Sequence, residues 1–267
     1  MPFSAQLNVM VTAASKAGRA LARDFGEVEN LQVSRKGPGD FVSSADRRAE
    51  EIIHRELERA RPDYGFLMEE SGEIKGADPT SRWIIDPLDG TTNFLHGIPH
   101  FAVSIALERN GVLQAGVVLN PVTQELYTAE RGGGAYLNDR RLRVAARKNL
   151  ADSIIGTGIP FAGKSNHARY IQQLYRFMVS TAGVRRPGAI ALDLAYIAAG
   201  RFDGFWEEEV NSWDMAAGIL LIREAGGMAT DIDGGDRMFA TGSVVAGNET
   251  IHQLVLEQLK KAQAKSK

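Results

Sequence analysis

Two carboxylates three residues apart close an apolar run in the segment Trp83-Ile84-Ile85-Asp86-Pro87-Leu88-Asp89-Gly90-Thr91-Thr92-Asn93-Phe94. Pro87 removes one backbone donor and restricts Asp86 to extended backbone, which predicts that the acids are held at a strand end. Gly90 lets the chain turn sharply, and Thr91-Thr92 then opens a short helix whose free N–H groups can receive an anion. Hard cations such as Mg²⁺ take oxygen ligands, commonly one or two carboxylates with waters and substrate phosphate. Asp86 and Asp89 suit that chemistry, but Asp, Pro and Gly also form ordinary turns. Other acids must decide between the two.

Glu69-Glu70-Ser71 supplies two, directly after the apolar run Phe66-Leu67-Met68, and Asp214 lies in Asn211-Ser212-Trp213-Asp214-Met215-Ala216-Ala217-Gly218 at the start of an apolar helix. Each has a plain alternative. Acids at a strand end often meet solvent, and an Asp in the first helical turn stabilises the helix without any metal. The chain has no cysteine, which excludes a disulfide framework, a zinc–thiolate cluster and a thiol nucleophile. None of the five histidines sits in a motif for a phosphohistidine, and His96 and His100 flank an expected turn.

These residues need elements to position them, and with 44% hydrophobic residues in 267 the chain can build a large core, as one unit or two packed halves. Helical spacing over residues 7–25 places Leu7, Val11, Ala14, Leu21 and Phe25 near one face, with Ser4 as N-cap. A second helix is expected over 45–60, entered through Ser43-Ser44, stopped by Pro62, with Ile52, Ile53 and Leu57 turned inward. Strand-like runs follow at 65–68, 82–85, 101–108, 112–119 and 125–129, with Asn110-Gly111 as a hairpin turn. From about residue 151 strands (153–157, 202–206, 243–246) alternate with helices (166–179, 189–199, 213–224, 249–260), so a boundary is expected within 140–152. Residues 260–267 read as a solvated, fraying helix end.

A net charge of −2 gives no general attraction to nucleic acid, and a phosphate ester would be repelled unless a cation or oriented dipoles reversed the field locally. Arg140-Arg141-Leu142-Arg143 and Arg185-Arg186 are local basic clusters without an aromatic-interleaved stripe, so no direct nucleic-acid binding is expected; Arg186 fits a subunit contact or the rim of a site. The N-terminus shows no charged region followed by an apolar run, and no apolar stretch is long enough for a membrane span. A cytoplasmic protein without a membrane partner is expected.

Together the Asp46 helix, Glu69-Glu70-Ser71, Asp86 to Asn93, Gly132-Gly133-Gly134-Ala135-Tyr136, and Trp213-Asp214 with Glu224-Ala225-Gly226-Gly227 resemble the inositol monophosphatase family of Mg²⁺-dependent, Li⁺-sensitive phosphatases. The resemblance implies an α+β fold, a layered α-β-α-β-α sandwich of the sugar phosphatase type. It implies an N-terminal α+β half (1–147) with most metal ligands and a C-terminal α/β half (148–267) with Asp214 and the substrate-side pocket. It further implies two or three Mg²⁺ on Glu69, Asp86, the Leu88 carbonyl, Asp89 and Asp214, with Asp86 bridging two. Thr91, partnered by Asp46, would orient the attacking water, and these two with Glu69 and Asp86 form the implied catalytic set. Gly90, Thr91 and Thr92 would hold phosphate, Gly188-Ala189-Ile190 would line the pocket, and Glu207 and Asp214 would meet substrate hydroxyls.

Hydrolysis of inositol monophosphate by a homodimer is what this resemblance implies. Two alternatives stand: a relative acting on fructose 1,6-bisphosphate, a nucleotide 3′-phosphate or NADP, and a regulatory protein associated with the transcription machinery. The chain departs from the family pattern at Met68, where many relatives carry Gly, and at Ile190, where a smaller residue is usual.

Overall fold

The computed structural model describes residues 4–27, 33–37 and 40–263. Helix α1 (Ala5–Phe25) begins at Ser4, whose hydroxyl accepts the Leu7 N–H. Strands β1 (Val33–Gly37) and β2 (Asp40–Ser43) precede α2 (Ser44–Ala60), which is entered through a capping box between Ser43 and Asp46. Strands β3 (Tyr64–Met68), β4 (Gly72–Ile74) and β5 (Asp78–Asp89) lead to the short α3 (Thr91–Leu95). Five strands follow: β6 (Ala102–Arg109), β7 (Val112–Asn120), β8 (Glu125–Glu130), β9 (Gly134–Leu137) and β10 (Arg140–Arg141). Next come β11 (Ile154–Thr157), α4 (His167–Met178), β12 (Gly183–Arg185), α5 (Ile190–Ala198) and β13 (Gly204–Glu208). The chain continues through α6 (Ser212–Glu224), β14 (Met228–Thr230), α7 (Met238–Thr241), β15 (Ser243–Gly247) and α8 (Glu249–Gln263).

Eight strands form one sheet in the order β10-β9-β8-β7-β6-β5-β3-β4, and five form another in the order β12-β11-β13-β15-β14. Helices α1 and α2 cover the outer face of the large sheet, and Trp83, Ile85 and Phe101 join Met10, Ile53 and Leu57 in the core between them. The α5–α6 pair fills the space between the two sheets, and α4 and α8 cover the far face of the small one. Three cores fill the four spaces between five layers, the one around α5 and α6 reaching both sheets, which gives the expected α-β-α-β-α sandwich. Each interlayer space buries one face of a sheet against the apolar stripe of a helix pair.

The helical face of α1 is built from smaller residues than its periodicity indicates. Val11 is only half-buried, while Ala13, Ala14, Ala17 and Gly18 are buried, and a Cβ on Gly18 would stand 2.8 Å from the Leu119 side chain. Close approach of α1 to β7 therefore needs small side chains. Strand β5 runs for 12 residues rather than over 82–85, and it accommodates Pro79 near its start and Pro87 at a register shift. The strands β1, β2, β4, β9, β10, β12 and β14 were not expected: they are two to five residues long, too short for a period to register. The basic pair Arg140-Arg141 forms β10, an exposed edge strand. Helix α8 buries Leu259 and Ala262, so its last described turn packs rather than frays; residues 264–267 lie outside the described residues.

Candidate active site

Parallel pairing of β3 with β5 sets Met68 opposite Ile85, and the Glu69 N–H donates to the Ile85 carbonyl at 3.2 Å. Glu69 and Asp86 therefore emerge side by side at the same sheet end. Asp86 lies opposite Ser104 and Asp89 opposite Ala102, so β5 carries one residue more than β6 across this stretch. That bulge falls where Pro87 has no N–H to give to the ladder. The Leu88 N–H turns back onto Asp86 Oδ1 at 2.9 Å. Gly90 then adopts φ 89°, and a Cβ there would meet the His100 carbonyl at 3.0 Å and Ala189 Cβ at 3.1 Å. Only glycine tolerates both conditions.

Helix α5 is preceded by Ala189, whose methyl group cannot cap it, and Asp89 serves from the other half of the chain: its Oδ2 accepts the Ala191 N–H at 2.7 Å. Asn93 makes a second tie, donating to the carbonyls of His100 at 2.7 Å and Pro187 at 2.9 Å. On the N-terminal side, Glu50 of α2 accepts the Glu70 N–H at 2.9 Å and the Ser71 hydroxyl, which fixes the turn after Glu69. Asp214 is the third residue of α6, and its Oδ2 accepts the Asn211 N–H at 2.7 Å. Asp46 has the same place in α2: Oδ2 takes the Ser43 N–H at 2.8 Å, and Oδ1 lies 3.0 Å from the Thr91 hydroxyl. Both acids cap their own helices, the role that needs no metal, and both also reach the site.

Glu69, Asp89, Glu207 and Asp214 line one cavity of about 250 Å³, walled by Gly188, Ala189 and Ile190. Asp86 does not line it and is almost wholly buried. Asp46, Leu88, Gly90, Thr91 and Thr92 are not among the residues that line the cavity, and Thr92 is exposed. Of the two residues that depart from the family pattern, Met68 packs in the core under α1 and α2, whereas Ile190 forms cavity wall.

Burial raises the Asp86 carboxyl well above the usual range, and Glu69, Asp89 and Asp214 add like-charge repulsion. Asp89 is raised by burial and then by Asp214. Asp214 is pushed up to about 7, chiefly by burial, and Glu207 to about 8, by burial and then by Asp193 and Asp214. Asp86, Asp89 and Asp214 make no ion pair among the described residues. Buried carboxylates without a counter-ion are costly unless a cation joins them, and an all-oxygen donor set suits a hard divalent ion. Among the described residues no three His, Cys, Asp or Glu side chains form a group that closes on one ion. The backbone bonds of Asp86, Asp89 and Asp214 instead direct one oxygen of each toward a main-chain N–H.

A model of the inositol monophosphatase family matches residues 4–264. The chain belongs to this family. It is similar to the inositol-1-monophosphatase of Rhizobium meliloti (strain 1021), with 64% identity over 98% of each chain. It is 44% identical, over 95% of each chain, to the Nus factor SuhB of Escherichia coli K12. The crystal structure of extragenic suppressor protein suhB from Bartonella henselae superimposes with a TM-score of 0.95 at 60% identity, over 97% of this chain and 99% of that one. The chain is a phosphatase of the inositol monophosphatase family.

Several cavity residues escaped sequence reasoning. Asp193 is buried in the wall, raised to about 6 by burial, with His100 Nε2 3.5 Å from its Oδ1. A lone acid inside the apolar run of α5 was the available signal. His100 is thus half-buried beside an acid, while His96 is exposed. Lys164 and Arg186 bring positive charge to the cavity, so Arg186 stands at its rim. Nothing local marks Lys164 or Gly158.

Proposed function

We propose that this chain hydrolyses inositol monophosphate to inositol and phosphate, with Mg²⁺, in the cavity between its two sheets. The observation that carries the reading is the set of carboxylates Asp86 and Asp89, buried, and Asp214, half-buried, brought beside Glu69 with no ion pair of their own among the described residues. Glu69, Asp86, the Leu88 carbonyl, Asp89 and Asp214 would hold two or three ions. Bound Mg²⁺ would neutralise the phosphate oxygens and lower the pKa of a coordinated water. Asp46 accepts the Thr91 proton, which leaves the Thr91 oxygen free to accept from the attacking water and hold it in line. Main-chain N–H groups of Gly90, Thr91 and Thr92 would receive the phosphate. Water adds to phosphorus, the bond to the inositol oxygen breaks, and inositol leaves with a proton on that oxygen. Positioning and charge neutralisation suffice for this chemistry, and no protein nucleophile is required.

Glu207 would accept hydrogen bonds from substrate hydroxyls. Its two neighbours also line the cavity but are already bonded: Glu208 to Gln173 and Arg169, Glu209 to Ser165 and Asn166. Glu207→Ala is expected to lower kcat/KM for inositol 1-phosphate by about ten- to a hundred-fold, the worth of a dry bond to a charged group. A plain aryl phosphate should be nearly unaffected. Steady-state kinetics on both substrates test the reading, and an equal loss on both would remove Glu207 from substrate recognition.

Inhibition by Li⁺ belongs to the same proposal. Phosphate release should fall in tens of millimolar Li⁺, a test condition on the order of physiological ionic strength; full activity there would count against it. We also propose a cytoplasmic homodimer without direct nucleic-acid binding. Helix α4 leaves Ile171, Tyr175 and Met178 60–64% exposed along one face, continued by Val179 just past its end, and self-association would cover this apolar row. A monomer in sedimentation at micromolar concentration would exclude the dimer. The likeness to Nus factor SuhB supports a second role beside the transcription machinery. A variant unable to bind metal that retains its cellular phenotype would favour that role.

A further inference from the structure

We infer that Gly158 is a specificity-determining residue, because the side chain it lacks leaves the space that the Glu207 carboxylate occupies. Strands β11 and β13 run parallel with Thr157 opposite Trp206, so the next step along each sets Gly158 against Glu207. A Cβ on Gly158 would overlap Glu207 Oε1 and Cδ and stand 2.5 Å from Oε2. Backbone conformation does not demand glycine here, since Gly158 is not among the positive-φ glycines. The requirement is for space.

Of the two sides of this contact, Glu207 is the one able to yield. Its carboxylate makes no hydrogen bond or ion pair among the described residues, and it ends a flexible side chain. The backbone at Gly158 is held at both ends. Before it lies β11, paired on both sides with β12 and β13. After it, the segment returns to Glu209, whose carbonyl accepts from Lys164 Nζ at 2.5 Å and whose carboxylate accepts from Ser165 and Asn166. A methyl group at 158 therefore drives the carboxylate out of its place in the cavity and leaves Asp86, Asp89 and Asp214 untouched. The inference rests on the reading that Glu207 takes the substrate hydroxyls.

The test compares Gly158→Ala, Glu207→Ala and the double variant with wild type, in Mg²⁺, on inositol 1-phosphate and on an aryl phosphate. Gly158→Ala should lower kcat/KM for inositol 1-phosphate about ten-fold or more and change the aryl phosphate rate less than about two-fold. Added to Glu207→Ala, it should cost nothing further, because the group it displaces is gone. If Gly158→Ala melts at lower temperature than wild type, Glu207→Ala should restore the melting temperature. Additive losses, an equal loss on both substrates, or a stability defect that the double variant retains would each overturn the inference. A selective loss in Glu207→Ala with none in Gly158→Ala would overturn it while sparing the function proposed above. No selective loss in Glu207→Ala would remove that reading and this inference together.

Discussion

Asp89→Asn is expected to abolish Mg²⁺-dependent phosphate release and to leave the fold intact, as read by phosphate assay and thermal melting of the same preparation. The amide oxygen of Asn can still accept the Ala191 N–H, so the cap that Asp89 lends to α5 survives. What disappears is one negative charge in a buried group of like charges. The metal-free proteins should also differ with pH, and the sign is determined by the raised values. Asp86, Asp89 and Asp214 hold protons in the folded state that the unfolded chain has already released near pH 4, so folding stability falls as pH rises from there through the Asp214 value of about 7. Without metal, Asp89→Asn should therefore melt at or above wild type, with the larger margin at pH 8 than at pH 5. Mg²⁺ should raise the melting temperature of wild type more at pH 8 than at pH 6, because binding needs the ionised acids. Turnover by the variant at the wild-type rate would show that Asp89 is not a metal ligand.

Thr91→Ala is expected to lower kcat by roughly 10²-fold or more, with little change in KM, the range for loss of a group that handles a proton. The Thr91 hydroxyl has two acceptors, Asp46 Oδ1 at 3.0 Å and the Leu88 carbonyl at 3.1 Å, so its one proton is always directed away from a water that it receives. Asp46 is itself immobilised by the N–H and hydroxyl of Ser43, at 2.8 and 2.5 Å. A hydroxyl held in this way imposes one direction on the bond it accepts. Thr91→Ser keeps that hydroxyl and should retain most activity. Equal losses in the two variants would point to packing of the threonine methyl.

Where function depended on neighbours in the chain, the sequence was informative. Asp86-Pro87-Leu88-Asp89-Gly90 encodes its own geometry: Pro87 withholds a donor, the ladder bulges, and Gly90 turns at a φ that other residues resist. Asp214 was legible as a first-turn acid because an N-terminal helix turn needs local acceptors, whereas Asp46, which has the same place in α2, was named only through the family resemblance. Periodicity marked the individual elements, chiefly α1, α2, α4 and the long strands, whereas the five-layer sandwich was expected only through the family resemblance. The short strands β4, β12 and β14 were not legible, since three residues carry no period.

The sequence by itself determined the kinds of chemistry available: oxygen ligands without thiols, acids at strand ends and helix starts, and a glycine turn ready for an anion. Tertiary structure decided which of these groups share a cavity. Parallel register put Glu69 beside Asp86, and the pairing of β11 with β13 put Gly158 against Glu207, 49 positions further along the chain. Glu207, Glu208 and Glu209 all line that cavity, and tertiary contacts bond Glu208 to Gln173 and Glu209 to Ser165 while the Glu207 carboxylate makes no hydrogen bond among the described residues. The physical reason is that cross-strand and interlayer contacts depend on register and packing between distant segments, and a one-residue slip in a strand would turn every side chain to the other face.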